Sequence, residues 1–184
     1  MDSSRSVIII YTCLMPDKLD QTNWRTKKFV SLEEAKKTAG KLREEGKKLV
    51  TVNGAFDILH AGHLDQLEEA KKQGDVLFVG INSDKSVRGY KGKDRPFITE
   101  QARAAMLAAL CCVDYVIIID EEAAEVQNTL LRTVQPHIHA NGEEYGQVEQ
   151  WIEWPVMKEV GATGCVTKKR NDFSTSALVD KIRS

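Results

Sequence analysis

None of the four cysteines in this chain of 184 residues has a partner at metal-binding spacing. Cys13, Cys111, Cys112 and Cys165 form no CxxC pair, and adjacent Cys111 and Cys112 are poor partners for each other. That argues against a thiolate metal site or a dithiol redox motif and fits a reduced, cytoplasmic protein. Neither sign of charge is in surplus. The 26 basic and 27 acidic side chains leave a net charge of −1, without the basic excess that nucleic-acid or membrane-surface binding needs. No apolar run approaches the roughly 20 residues of a membrane span. "VIIIYTCLM" at 7–15 is too short, and "PDKLDQ" follows where a signal peptide carries small residues. That run is expected to form an extra edge strand or an interface arm. Internal repeats and low-complexity tracts are also lacking.

What is present is the composition of one ordinary globular domain, 42% hydrophobic and 29% charged. Residues 16–30 read as a polar connection, dividing the chain into an N-terminal extension, 1–30, and a domain, 31–184. The domain opens with a helix: Ser31 caps it, Glu34 completes a capping box, and Gly46 ends it. Short apolar runs at 49–52, 75–82, 113–119, 137–140 and 164–168 then alternate with helical patterns at 61–74, 99–110, 122–133, 147–161 and 174–183. Thr99 and Ser174 stand as caps for two of these. Continuous apolar strands alternating with helices predict an α/β fold: a doubly wound, Rossmann-like parallel sheet of about five strands, with helices on both faces.

In such folds ligands sit beyond the carboxyl ends of the strands, and "NGAFDILHAGH" (53–63) falls at that edge of the first strand. A helix starting near His60 or Ala61 presents unpaired N–H groups and the positive end of its dipole, which together make an anion site. His60 and His63, three apart, lie on one face of that turn. Gly62 and Gly54 let an anion approach the backbone closely. A zinc pair prefers spacing four and a third ligand, which the sequence does not offer. Two roles stay open for Asp57: capping the turn or orienting a histidine. The basic stretch "VRGYKGKDRP" carries Arg88, Lys91, Lys93 and Arg95 and reads as a loop beside the site, with Lys91 and Arg88 as phosphate ligands. Asn82 and Asp84, at the end of the second strand, are placed to orient substrate hydroxyls.

"GAFDILHAGH" resembles the GxFDxxHxGH signature of the nucleotidyltransferase superfamily that includes the cytidylyltransferases and small adenylyltransferases. The likeness continues through "NSDKSVRGYKGKDRPF", "EQARAAMLAALCCVDYVI" and "STSALVDKI", and is strongest to the adenylyltransferase domain of ADP-heptose synthases. It covers residues 31–184 and leaves the first thirty unexplained. It implies nucleotide or phosphate contacts from Gly54, Ala55, Phe56, Asp57, Ala61, Gly62, Arg88 and Arg103, and from Ser174, Thr175 and Ser176 at the last helix. It also implies such contacts from Asn141 and Gly142, with Glu144 facing the substrate. One segment departs from the pattern. Heptose adenylyltransferases carry a "KGGDY"-like run where this chain has "NGEEY", with Asn141 for the lysine and Glu143 for a glycine.

The reaction the resemblance implies joins a nucleoside triphosphate, ATP foremost, to a phosphorylated sugar such as heptose 1-phosphate and releases pyrophosphate. The attacking phosphate oxygen is already ionised, so catalysis needs donors for the charge that grows at the α-phosphorus. His60, His63 and Lys91 are the expected catalytic residues. Magnesium carried by the triphosphate is the expected cofactor, with no dedicated protein ligands. Family members are often dimers, so a homodimer is expected. Open alternatives are a cytidylyltransferase for glycerol 3-phosphate, another polyol phosphate or a phosphonate, a guanylyltransferase making a GDP-sugar, and an idle nucleotide-binding module.

Overall fold

The computed structural model describes residues 26–184 except 169 and 172. The 7–15 run and nearly all of the extension therefore lie outside the described residues. Five strands, β1 (Leu49–Gly54), β2 (Val76–Asn82), β3 (Tyr115–Ile119), β4 (Ile138–Gly142) and β5 (Thr163–Thr167), form one sheet in the order β3-β2-β1-β4-β5. Every neighbouring pair is parallel. The chain winds outward from β1 through β2 and β3, then returns to add β4 and β5 on the other side. The crevice between β1 and β4 is thus the point where strand order reverses.

Alternation along the strands sorts the core into two layers. Val50, Val52, Leu77, Val79 and Ile81 pack against Leu67 of α2 (Ala61–Lys71) and Leu107 of α4 (Glu100–Ala108). On the opposite face Leu49, Phe78, Ile117 and Ile119 meet Ala35 and Ala39 of α1 (Leu32–Glu44) and Val126 and Leu130 of α5 (Ala123–Val134). Both faces are covered, which is why these strands read as unbroken apolar runs. The Ser31–Glu34 capping box is formed, and Gly46 takes a φ of +74° just beyond α1. Thr99 occupies the N-cap of α4 but its side chain makes no cap bond.

Three expectations need correction. The stretch "VRGYKGKDRP" is not all loop: its first five residues belong to α3 (Asp84–Lys91), started by Ser83, whose hydroxyl accepts from the Ser86 N–H at 3.0 Å. The helical pattern over 147–161 is not one helix: a 3₁₀ turn at Val148–Gln150 precedes the short α6 (Trp154–Val160), which carries Pro155 in its first turn. Proline lacks the N–H a longer helix would need there. The polar connection also ends earlier than 30, because Phe29 bridges to Val116 and the Val30 N–H donates to Val116 O at 3.1 Å. Trp151 is core, while Trp154 is half-buried beneath the Lys158 ammonium.

Candidate active site

The turn between β1 and α2 folds tightly because Phe56 takes a left-handed φ of +48°. This costs energy for a residue with a side chain and is typical of functional turns. Its buried ring then covers Gly54, where an added Cβ would lie 3.1 Å from the ring. It also lies 5.1 Å from the His63 ring. His60 is the N-cap of α2 and makes no side-chain cap bond. The His60 and His63 rings stack at 3.8 Å and 21°. The pair is therefore a single two-ring edge beside the helix N-terminus.

Gly62 has a packing reason in addition to the one its neighbours suggested. An added Cβ would meet the Phe173 carbonyl at 2.8 Å and the His60 ring at 3.1 Å. The missing side chain admits the segment leading to α7 (Thr175–Arg183) as well as any ligand. That segment is tied down by Asp65 of α2, which accepts from the Arg170 backbone N–H at 2.9 Å and from the Asn171 amide. Asn171 in turn accepts from the Phe173 N–H at 3.1 Å. Ser174 caps α7 by accepting from the Ala177 N–H at 3.1 Å. The N-terminus of α7 is thereby brought beside that of α2 at one cavity.

Asp57 neither caps the turn nor orients a histidine. Its buried carboxylate accepts from Arg95 Nε at 2.6 Å and from the Phe97 and Ile98 N–H groups at 2.7 and 3.0 Å. It anchors the loop after α3 and turns Arg95 toward the site. Lys91, at the end of α3, stays accessible, yet partial burial and the neighbouring Arg95 hold its ammonium below the ordinary lysine value.

Arg103 departs furthest from expectation. Instead of reaching toward a phosphate it is fully buried. Its guanidinium donates to Ile98 O at 2.9 Å, to Asn82 O and Asp84 Oδ1 at 2.8 Å each, and to Ala55 O. Those bonds pin together the β1–α2 turn, the end of β2 and the start of α3. Asp84 is consumed by Arg103, and Asn82 donates to Ser86 Oγ at 3.1 Å.

These elements enclose a cavity of about 640 Å³ at the carboxyl ends of the strands, a volume suited to a small ligand. It brings together Gly54, Ala55, Phe56, Asp57, His60, Gly62, His63, Asn82, Lys91, Asn141, Glu144, Ser174, Thr175 and Ser176. Ala61, Asp84, Arg88, Arg103 and Gly142, all expected at the site, do not line it. Arg88 is solvent-exposed on α3. Sequence reasoning missed Tyr90, Gln127, Tyr145, Ile152 and Glu153, and had Arg95 only as one charge in a run. Among the described residues no cluster of three or more His, Cys, Asp or Glu is placed to hold a metal, and no helix is long and apolar enough to cross a membrane.

A doubly wound parallel sheet with a His–Gly–His helix start at its switch point defines the class. The cytidylyltransferase-like family model matches residues 51–181, and the chain belongs to that family; it is a nucleotidyltransferase. Among curated relatives it is 39% identical over 136 residues to the bifunctional protein HldE of Helicobacter pylori strain P12, covering 74% of this chain and 28% of that protein. It is 43% identical over 141 residues to the HldE of Pseudomonas aeruginosa strain LESB58, covering 77% and 29%. The matched part thus spans under a third of these relatives' length. Among solved structures, a lipopolysaccharide core biosynthesis protein from Thermoplasma volcanium aligns at a TM-score of 0.54 and 30% identity, over 70% of this chain and all of that one. A pantoate-β-alanine ligase from Francisella tularensis aligns at a TM-score of 0.58 and 16% identity, over 78% of this chain and 67% of that one, and shares the fold.

Proposed function

We propose that the protein transfers the nucleotidyl group of ATP to a sugar phosphate, heptose 1-phosphate foremost, and releases pyrophosphate. The observation that carries this reading is the stacked His60–His63 edge at the N-terminus of α2, beside the N-terminus of α7 and across from Lys91 and Arg95. In the step itself an acceptor phosphate oxygen bonds to the α-phosphorus, and the bond from that phosphorus to the oxygen bridging to the β-phosphate breaks. His60, His63 and the helix ends supply fixed donors where negative charge concentrates. Lys91 and Arg95 are the cations for the acceptor's phosphate.

Magnesium bound to the triphosphate would neutralise the leaving pyrophosphate. The reading extends to a cytoplasmic enzyme of cell-envelope glycan synthesis, acting as a homodimer. The cell-envelope part of it is supported by the name of the Thermoplasma protein.

Asn141 and Glu143, standing where the heptose enzymes' pattern has lysine and glycine, favour a second reading with a different base or acceptor, such as CTP with glycerol 3-phosphate. One assay separates them: pyrophosphate release from ATP, CTP, GTP and UTP with magnesium, each paired with heptose 1-phosphate and glycerol 3-phosphate. Release confined to ATP with heptose phosphate is the expected result. Release with another pair moves the assignment, and nucleotide binding without release points to an idle module.

A further inference from the structure

The cavity has a second wall that the transfer chemistry above leaves unused. Thr51 and His139 are register partners on β1 and β4, both fully buried. They alternate with Val50, Val52, Ile138 and Ala140, so they face the α5 side of the sheet, opposite α2. Thr51 Oγ1 and His139 Nδ1 lie 2.8 Å apart. The other ring nitrogen, Nε2, is 3.9 Å from Glu153 Oε1, too far for a hydrogen bond. Glu153 is the N-cap residue of α6, 4% exposed, and lines the cavity with Gln127 of α5 and Asn141 of β4. Asn141 is 2% exposed, and its Nδ2, which faces the Glu153 carboxylate, has no hydrogen-bond partner within 3.5 Å among the described residues. Burial pushes the Glu153 carboxyl up, but the adjacent His139 and Asn141 outweigh that and hold it below the ordinary range. A buried carboxylate and a buried amide N–H, each with capacity left over, therefore share one wall.

A buried carboxylate and an unpaired amide are costly unless something binds them. They complement a neutral group that gives a proton to one and a lone pair to the other, as neighbouring sugar hydroxyls do. The geometry of transfer says which substrate brings those hydroxyls. In-line displacement puts the attacking and leaving oxygens on opposite sides of the phosphorus. The leaving pyrophosphate belongs at the α2 and α7 N-termini, on one face of the sheet. The attacking acceptor then arrives from across the sheet edge, where Asn141, Glu153 and Gln127 stand.

We infer that Glu153 and Asn141 read the hydroxyls of the phosphorylated acceptor and so determine which polyol phosphate is used. This rests on the proposed transfer to a sugar or polyol phosphate. The test measures acceptor KM and kcat for wild type, Glu153→Gln and Asn141→Ala, and measures ATP affinity separately by calorimetry without acceptor. Heptose 1-phosphate, glycerol 3-phosphate and singly deoxygenated analogues of whichever is turned over serve as acceptors.

In Glu153→Gln the acceptor KM is expected to rise about 10- to 100-fold, the loss of a hydrogen bond to a charged group. ATP affinity should stay unchanged, and the wild-type penalty for one deoxy analogue should vanish. An unchanged acceptor KM, or a loss of ATP affinity in its place, overturns the inference; the latter would put the pair against the nucleotide. Thermal unfolding checks that each variant is folded, and Asn141→Ala carries the same test should Glu153→Gln not fold. A wild-type protein that releases no pyrophosphate with any pair refutes the proposed function itself. An active wild type with an unmoved acceptor KM in the variants refutes the acceptor reader alone.

Discussion

The two walls of the cavity are built on opposite principles. On the α2 side the donors are largely backbone: two helix ends, brought together by Asp65 and Asn171, with the histidine pair stacked beside them. On the α5 side the groups are buried side chains whose capacity is only partly met within the protein. Backbone donors at a helix end cannot be removed by point mutation and bind any phosphate alike. A buried carboxylate next to an amide is selective, because a ligand lacking the matching hydroxyl leaves it unsatisfied. On the proposed reading, transfer chemistry and acceptor choice are thus separated across one sheet edge.

Substitutions on the α2 side should break the catalytic half of this comparison without touching discrimination between acceptors. The largest effect is expected for Arg103→Met, which removes a buried ion bonded to Asp84 and to three carbonyls. A loss of about 3–5 kcal/mol in stability is expected by chemical denaturation. Nucleotide affinity at low temperature should persist, since this guanidinium does not face the cavity.

Next, His63→Ala should lower kcat about 100- to 1,000-fold, the cost of one transition-state donor. Pyrophosphate release measures this, and the ratio of kcat/KM between acceptors should not change. Lys91 gives a pH test. Its ammonium is held below the ordinary 10.5, so its charge is lost as pH rises through that lowered value. Wild-type activity should accordingly decline at a pH below 10.5, and in Lys91→Gln that alkaline decline should disappear from an already weaker profile. The smallest effect is Ser174→Ala, which loses a cap worth about 1 kcal/mol. It should raise the KM for nucleotide only a few-fold and leave kcat near the wild-type value.

What the sequence made legible was what local signals encode. The Ser31–Glu34 box, the apolar runs of the strands and the glycine-flanked histidines each carry their geometry within a few residues. α3 escaped notice because "VRGYKG" is basic and holds a glycine; its helix rests on the Ser83 cap and on burying Val87 and Ser86. Residues 147–161 were over-read because apolar spacing continued past the position where Pro155 forces a new start. Arg103 shows the limit clearly. Its place on a helix face was readable, but that the β1–α2 turn and β2 would close over it was not. Glu153 lies 14 positions from His139 and 102 from Thr51, and only strand pairing between β1 and β4 makes them one wall.

The docking of α7 has a consequence for the protein's motions. None of its residues is fully buried, so its opening is expected to cost little free energy and its amides to exchange readily with solvent. A nucleotide held by both α2 and α7 requires that helix closed, and closure then gains the factor 1 + [L]/Kd. Deuterium uptake along Ala177–Arg183 would slow in proportion to nucleotide concentration, while the β1 amides would scarcely respond. One short helix would act as the protein's own occupancy gauge.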